Sequence, residues 1–135
     1  MAKQFTLGKH ERLKNRKSIE LLFKEGKKFV AHPYLVYYGL AQFPKTTGKS
    51  FTLQFGVGAG TKNFKKAVDR NRIKRLTREA FRLQKTALKE NLKSKDILLN
   101  LFLIYTAKEI PGYNEVYKKL GAILKKLETM IEEIK

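Results

Sequence analysis

The sequence has no cysteine. Disulfides, zinc–thiolate sites and cysteine nucleophiles are therefore excluded, and a cytoplasmic setting is expected. Acids are scarce: 12 Asp and Glu stand against 30 Lys and Arg, a formal charge of +18 over 135 residues. The acids do not cluster as two-metal nuclease chemistry requires. Neither His10 nor His32 has a cysteine or carboxylate at ligand spacing. Long apolar runs are also missing. The longest, Ile97 to Tyr105, is broken by Asn100 and falls well short of the roughly 20 residues that span a bilayer. The first residues, MAKQFTLGKHERLK, contain no apolar h-region, so no signal peptide is expected. There is no internal repeat and no low-complexity linker. No self-contained catalytic constellation emerges, and no metal ligands are expected in this chain.

What remains is 42% hydrophobic and 11% aromatic, enough for one globular domain spanning residues 1–135. A charge of this size works against compaction by self-repulsion unless a polyanion shares it. Nucleic acid is the first candidate and an anionic membrane surface the second. The membrane is disfavoured because the cations lack the neighbouring aromatic and leucine content that insertion uses.

Residues 1–14 read as a basic N-terminal segment. Asn15 to Glu25 carries Ile19, Leu22 and Phe23 at helical spacing, with Gly26 as a stop. Tyr34 to Ala41 reads as a strand from its aromatic and β-branched content. Ser50 to Val57 alternates and is expected to pair with it as a hairpin across the Pro44–Gly48 turn. A basic helix is expected over 63–88. Ile97 to Thr106 is apolar on both faces, as a central strand would be. After Pro111-Gly112, a helix over 113–135, with Asn114 as a possible cap, presents Val116, Leu120, Ile123, Leu124, Leu127, Ile131 and Ile134 as one stripe. This order predicts an α+β domain with helices against one sheet face.

The stretch KKAVDRNRIKRLTREAFR (Lys65–Arg82) is the most informative. With Arg70 at zero and about 100° per residue, Ile73, Leu76, Ala80, Leu83 and Ala87 fall within roughly 220–300°, and form the expected core face. Arg70, Asn71, Lys74, Arg75, Arg78, Arg82 and Lys85 fall within roughly 0–140° and form a basic arc. From Lys62 to Lys85 ten cations face only Asp69 and Glu79, a net +8 of the +18. A solvated helix face usually mixes signs and gains from Glu–Lys pairs, whereas this one stacks like charges. Arginine, which dominates from Arg70 to Arg82, grips phosphate through its planar fork and stacks on bases. Asn71 adds a group that donates and accepts at once. Phe81, near 20°, stands off the core stripe, either as an exposed stacking ring or packed on a neighbouring loop.

GVGAGTK (Gly56–Lys62) does not meet the residue order of a Walker or dinucleotide loop. It reads instead as a strand end where a backbone approaches something closely. Tyr34 and Tyr38 share one face of their strand and Tyr37 takes the other. If one sheet face is partly open, its rings form a stacking platform for single-stranded nucleic acid.

The run Asp69-Arg-Asn-Arg-Ile-Lys-Arg-Leu-Thr-Arg-Glu-Ala-Phe-Arg82, preceded by Lys66-Ala67-Val68, closely resembles the RNR signature helix of the bacterial ribonuclease P protein family. Arg12-Leu13-Lys14 and the helix ending Leu22-Phe23-Lys24-x-Gly26-Lys27 are similar to that family's N-terminal segment. Tyr34 to Leu40 is similar to its aromatic strand, and Asp96-Ile-Leu-Leu to the strand after the RNR helix. The resemblance implies a single α+β domain with a mixed central sheet and a left-handed β-α-β crossover, similar to a ribosomal-protein domain. It implies a protein subunit of ribonuclease P, with Mg2+ chemistry carried by a catalytic RNA that removes the 5′ leader of precursor tRNA. The expected partners are that RNA and precursor tRNA, with no membrane or DNA. Candidate RNA contacts are Arg12, Lys66, Arg70, Asn71, Arg72, Lys74, Arg75, Arg78 and Arg82. Phe23 and Tyr38 match the leader cleft, between the first helix and the sheet. The alternative is a structural or ribosome-associated RNA-binding protein with no part in cleavage.

Overall fold

A computed structural model describes residues 13, 16–42, 53–95 and 97–133. Helix α1 (Arg16–Glu25) leads into strands β1 (Lys27–Ala31), β2 (Tyr34–Gln42) and β3 (Leu53–Ala59). Helices α2 (Ala67–Gln84) and α3 (Thr86–Ser94), strand β4 (Ile97–Tyr105) and helix α4 (Tyr113–Glu132) follow. The strands form one mixed sheet in the order β1-β2-β4-β3, with β3 parallel to β4 and the other pairs antiparallel.

Strand β4 holds the central position expected of a strand apolar on both faces. Ile97, Leu99, Leu101, Leu103 and Tyr105 are buried, while Leu98, Asn100, Phe102 and Ile104 on the other face are half-buried. The buried face continues through Tyr34 and Val36 of β2 and Leu53, Phe55 and Val57 of β3. The core lies between this face and α2, α3 and α4. The apolar stripe of α4 is buried from Val116 to Ile131, and Ile134 lies outside the described residues. The last helix begins at Tyr113 with Gly112 as its N-cap, so Asn114 lies within the first turn and does not cap it.

The expected hairpin between the second and third strands is not formed. The central β4 separates β3 from β2, and the hairpin partner of β2 is β1. A strand apolar on both sides gains most between two others, so β4 displaces the local pairing. Strand β1 (KKFVA) carries only Phe29 and Ala31 toward the core side and reads weakly as a strand. Its two-residue turn is held by Thr106, whose N–H and Oγ1 both donate to the Pro33 carbonyl, at 2.8 and 2.9 Å.

The basic helix is also shorter than 63–88. Lys66 is extended (φ −81°, ψ 128°), and the chain passes from α2 into α3 at Lys85. Helix α2 is rotated by roughly 60° from the wheel estimate. Its buried residues are Ile73, Thr77, Ala80 and Phe81, while Leu83 is exposed. Two contacts with the sheet account for this. Phe81 stacks on Phe55 with centroids 3.8 Å apart and planes 6° from parallel, and the Thr77 and Tyr34 hydroxyls are 2.7 Å apart. An aromatic ring buries more surface than a leucine and gains further from ring pairing, so Phe81 takes the inner position. Lys85, expected on the basic arc, is fully buried where α2 meets α3.

The Tyr34 phenol is fully buried, and desolvation pushes its pKa from 10.0 up to about 12. Between these values the unfolded chain loses this proton and the folded protein keeps it, so folding stability falls as pH rises through the window. Two units correspond to about 2–3 kcal/mol. Denaturation of wild type and Tyr34→Phe from pH 9 to 12 is expected to show wild type losing about this much relative to the variant. A pH-independent difference would contradict it.

Candidate nucleic-acid interface

The outer side of α2 carries the cations. Lys66, Asn71, Arg72, Arg75 and Arg78 are exposed, and Arg70, Lys74 and Arg82 are half-buried. The Arg70 guanidinium turns back along the helix start. One of its nitrogens donates to the carbonyls of Phe64 and Lys65, at 2.7 and 2.9 Å. Those carbonyls belong to the segment leading into α2, and Phe64 is buried, so Arg70 ties the helix start to the core. Lys66 is the N-cap of α2 and makes no side-chain capping hydrogen bond. Arg82 is paired with Glu79 one turn earlier, its Nε 3.2 Å from Oε2. This hydrogen bond holds the Glu79 carboxyl below its usual pKa and raises that of the guanidinium. Arg72, Arg75 and Arg78 are exposed on the outer side, with Asn71 among them. Arg12 lies outside the described residues.

The opposite sheet face carries a second surface. Phe23, at the end of α1, is 43% exposed. Its ring lies 4.6 Å from Tyr37 and 5.3 Å from Phe102, the latter nearly edge-on at 79°. Tyr37 and Phe102 are register partners on β2 and β4. The flanking glycines of β3 explain how the Phe102 ring fits. A Cβ at Gly56 would stand 2.6 Å from Phe102 Cδ2 and 2.9 Å from the Leu13 carbonyl oxygen. At Gly58 it would meet Phe102 at 3.4 Å. The close approach expected of the glycine-rich strand is therefore to this ring. Gly26 ends α1 by close approach too, since a Cβ there would lie 2.4 Å from the Leu22 carbonyl oxygen.

Tyr38 does not face Phe23. It lies on the other side of β2, its ring 5.8 Å from Phe29 and its hydroxyl 3.6 Å from Met130 Sδ on α4. Strand alternation accounts for the correction: Tyr38 shares a face with Tyr34, which is fully buried, so the ring open to α1 is Tyr37. Sequence reasoning also missed Phe102, which reads as one more apolar residue of the central strand. The signal for it lay in the two alternate glycines on the adjacent strand.

Among the described residues, no group of three or more His, Asp and Glu converges to hold a metal ion, and no helix is long and apolar enough to cross a membrane.

Comparison with known proteins identifies a family for the chain. A family profile described as Ribonuclease P matches residues 7–128. The Ribonuclease P protein component of Porphyromonas gingivalis is 36% identical over 116 residues, covering 86% of this chain and 82% of that protein. The RNase P protein from Thermotoga maritima superposes with a TM-score of 0.63 at 28% identity, over 86% of this chain and 96% of that one. The Staphylococcus aureus RNase P protein has the same fold, with a TM-score of 0.65 at 20% identity over 86% and 94% of the two chains. With the profile spanning nearly the whole domain, this chain belongs to the ribonuclease P protein family and is a protein component of that ribonucleoprotein endoribonuclease.

Proposed function

We propose that the outer arc of α2 docks on the catalytic RNA and that the Phe23–Tyr37–Phe102 surface holds the single-stranded 5′ leader of precursor tRNA. The observation that carries this reading is the separation of the two surfaces. Cations gather on α2, beyond one side of the sheet, and clustered rings lie on the other. Each suits a different part of a nucleic acid. Guanidinium groups neutralise and hydrogen-bond phosphates, while rings stack on unpaired bases with little regard to sequence. The two surfaces let one protein bridge enzyme RNA and substrate. Mg2+ takes oxygen ligands, usually carboxylates, waters and phosphates. In this reading the ion belongs mainly to the RNA, which carries the chemistry. The protein works in the cytoplasm, beside these RNAs. A purely structural or ribosome-associated role is not favoured, given the family.

The direct test is cleavage of precursor tRNA by the catalytic RNA at low Mg2+, with and without the protein. Cleavage restored by the protein supports the reading, and indifference to it counts against it. The α2 surface makes a further prediction. With about six phosphates neutralised, log affinity for the catalytic RNA should fall against log salt with a slope near −4 to −5. Arg75→Ala and Arg78→Ala should each flatten the slope by about one and leave the melting temperature unchanged. A wild-type slope shallower than −1 would remove α2 from the interface.

The ring surface makes another. Tyr37→Ala should weaken holoenzyme binding of leader-bearing precursor by roughly 1–3 kcal/mol, about 5- to 150-fold, largely independent of leader sequence. Mature tRNA should be unaffected. Tyr38→Ala should instead lower the melting temperature, because it strips packing from Phe29 and Met130. Equal losses for precursor and mature tRNA in Tyr37→Ala would move the leader elsewhere.

A further inference from the structure

We propose that the RNA-docking surface continues from α2 onto α4, where Tyr117 offers its ring to an unpaired base of the catalytic RNA. This rests on the reading that α2 contacts that RNA. Tyr117 and Leu83 are each 39% exposed. A single exposed ring needs no explanation on an ordinary surface. This one is distinguished by its place, on the stretch of α4 that is tied to the basic helix. Gln84 Nε2 donates to the Tyr117 carbonyl at 2.9 Å and to the Ala80 carbonyl at 3.1 Å, tying the main chain under the ring to the last turn of α2. Gly121 leaves room for the Gln84 amide, since a Cβ there would come within 2.8 Å of Gln84 Oε1. One turn before Tyr117, the half-buried Tyr113 lies with its ring 6.1 Å away. Tyr113 is also near enough to Glu79 and Arg82 for their charges to act on its hydroxyl.

The main chain that carries Tyr117 is therefore fixed relative to the basic helix before any partner arrives. The surroundings fit a polyanion. Arg82, paired with Glu79, stands on α2 close to Tyr113, and Lys118 is exposed about 100° around α4 from Tyr117. A base resting on Tyr117 would leave its phosphates to these cations, the pairing of ring and positive groups that single-stranded nucleic acid uses. The continuity with α2 favours the catalytic RNA over the substrate, whose leader is assigned to the opposite sheet face.

The test measures affinity for the catalytic RNA alone, using Tyr117→Leu, Tyr117→Phe and, as reference, Arg78→Ala. Leucine keeps the apolar bulk but has no π face, so Tyr117→Leu should bind roughly 5- to 150-fold more weakly. Tyr117→Phe should bind like wild type. Because a neutral ring releases no counterions, the salt slope of Tyr117→Leu should match wild type, unlike that of Arg78→Ala. Titration against stoichiometric RNA corrects each affinity for any unfolded protein. Wild-type binding by Tyr117→Leu alongside weakened Arg78→Ala overturns the extension and leaves the α2 reading intact. Wild-type binding by both overturns the two together. A loss seen only with precursor tRNA, or a change in self-association, also overturns the proposal by assigning the ring to another partner.

Discussion

Strands β3 and β4 run parallel, and parallel neighbours cannot be joined by a tight turn. The chain must leave the sheet after Ala59, cross one face and return at Ile97. Helices α2 and α3 are that crossing. The most basic element of the protein is thus also the connection that the sheet requires, and its orientation is set by the sheet beneath it. The Phe55–Phe81 stack and the Tyr34–Thr77 hydrogen bond turn α2 about its axis, and the side of the helix left over becomes the cationic surface.

The same topology keeps the charge tolerable. The cations of α2 project away from the core, and the helix start is fastened by Arg70 to two carbonyls rather than to an acid. Fastening through carbonyls uses a guanidinium structurally without neutralising it. From Lys62 to Lys85 just two acids oppose ten cations, and one of them, Glu79, pairs with Arg82. Exposed pairs of this kind stabilise a fold weakly. Most of the repulsion is therefore left for a bound polyanion to relieve, and any ligand that prefers the folded chain adds to its stability by mass action.

Much of this was legible in the chain. The two-sided apolar run of β4 announces its central place, and the α4 stripe announces its buried face. Both are patterns that a residue's own neighbours set. What stayed hidden depends on distant partners. KKFVA carries too little apolar surface to read as a strand until β2 is beside it. The β2–β3 hairpin was the natural local pairing, and it lost to a strand more than forty residues further on. The aliphatic stripe of α2 misjudged the helix rotation because a ring on β3 competes for the same space. For Tyr38 the parity was correct, but parity alone does not say which sheet face α1 covers. The fully buried Tyr34 decides it.

Gly56 and Gly58 occupy the same side of one strand, two residues apart, yet their freedom to diverge differs. At position 58 an added methyl meets Phe102 at 3.4 Å, a distance that a slight ring adjustment accommodates. At position 56 it meets both the Phe102 ring and the main-chain oxygen of Leu13. Shrinking residue 102 would clear the first obstacle and leave the second, because the Leu13 N–H donates to the Phe55 carbonyl at 2.8 Å and holds Leu13 against the strand. No single compensating substitution opens position 56. Sequence drift on this strand is therefore channelled: position 58 can explore alternatives within the existing backbone, whereas a change at 56 must wait for Leu13 to move.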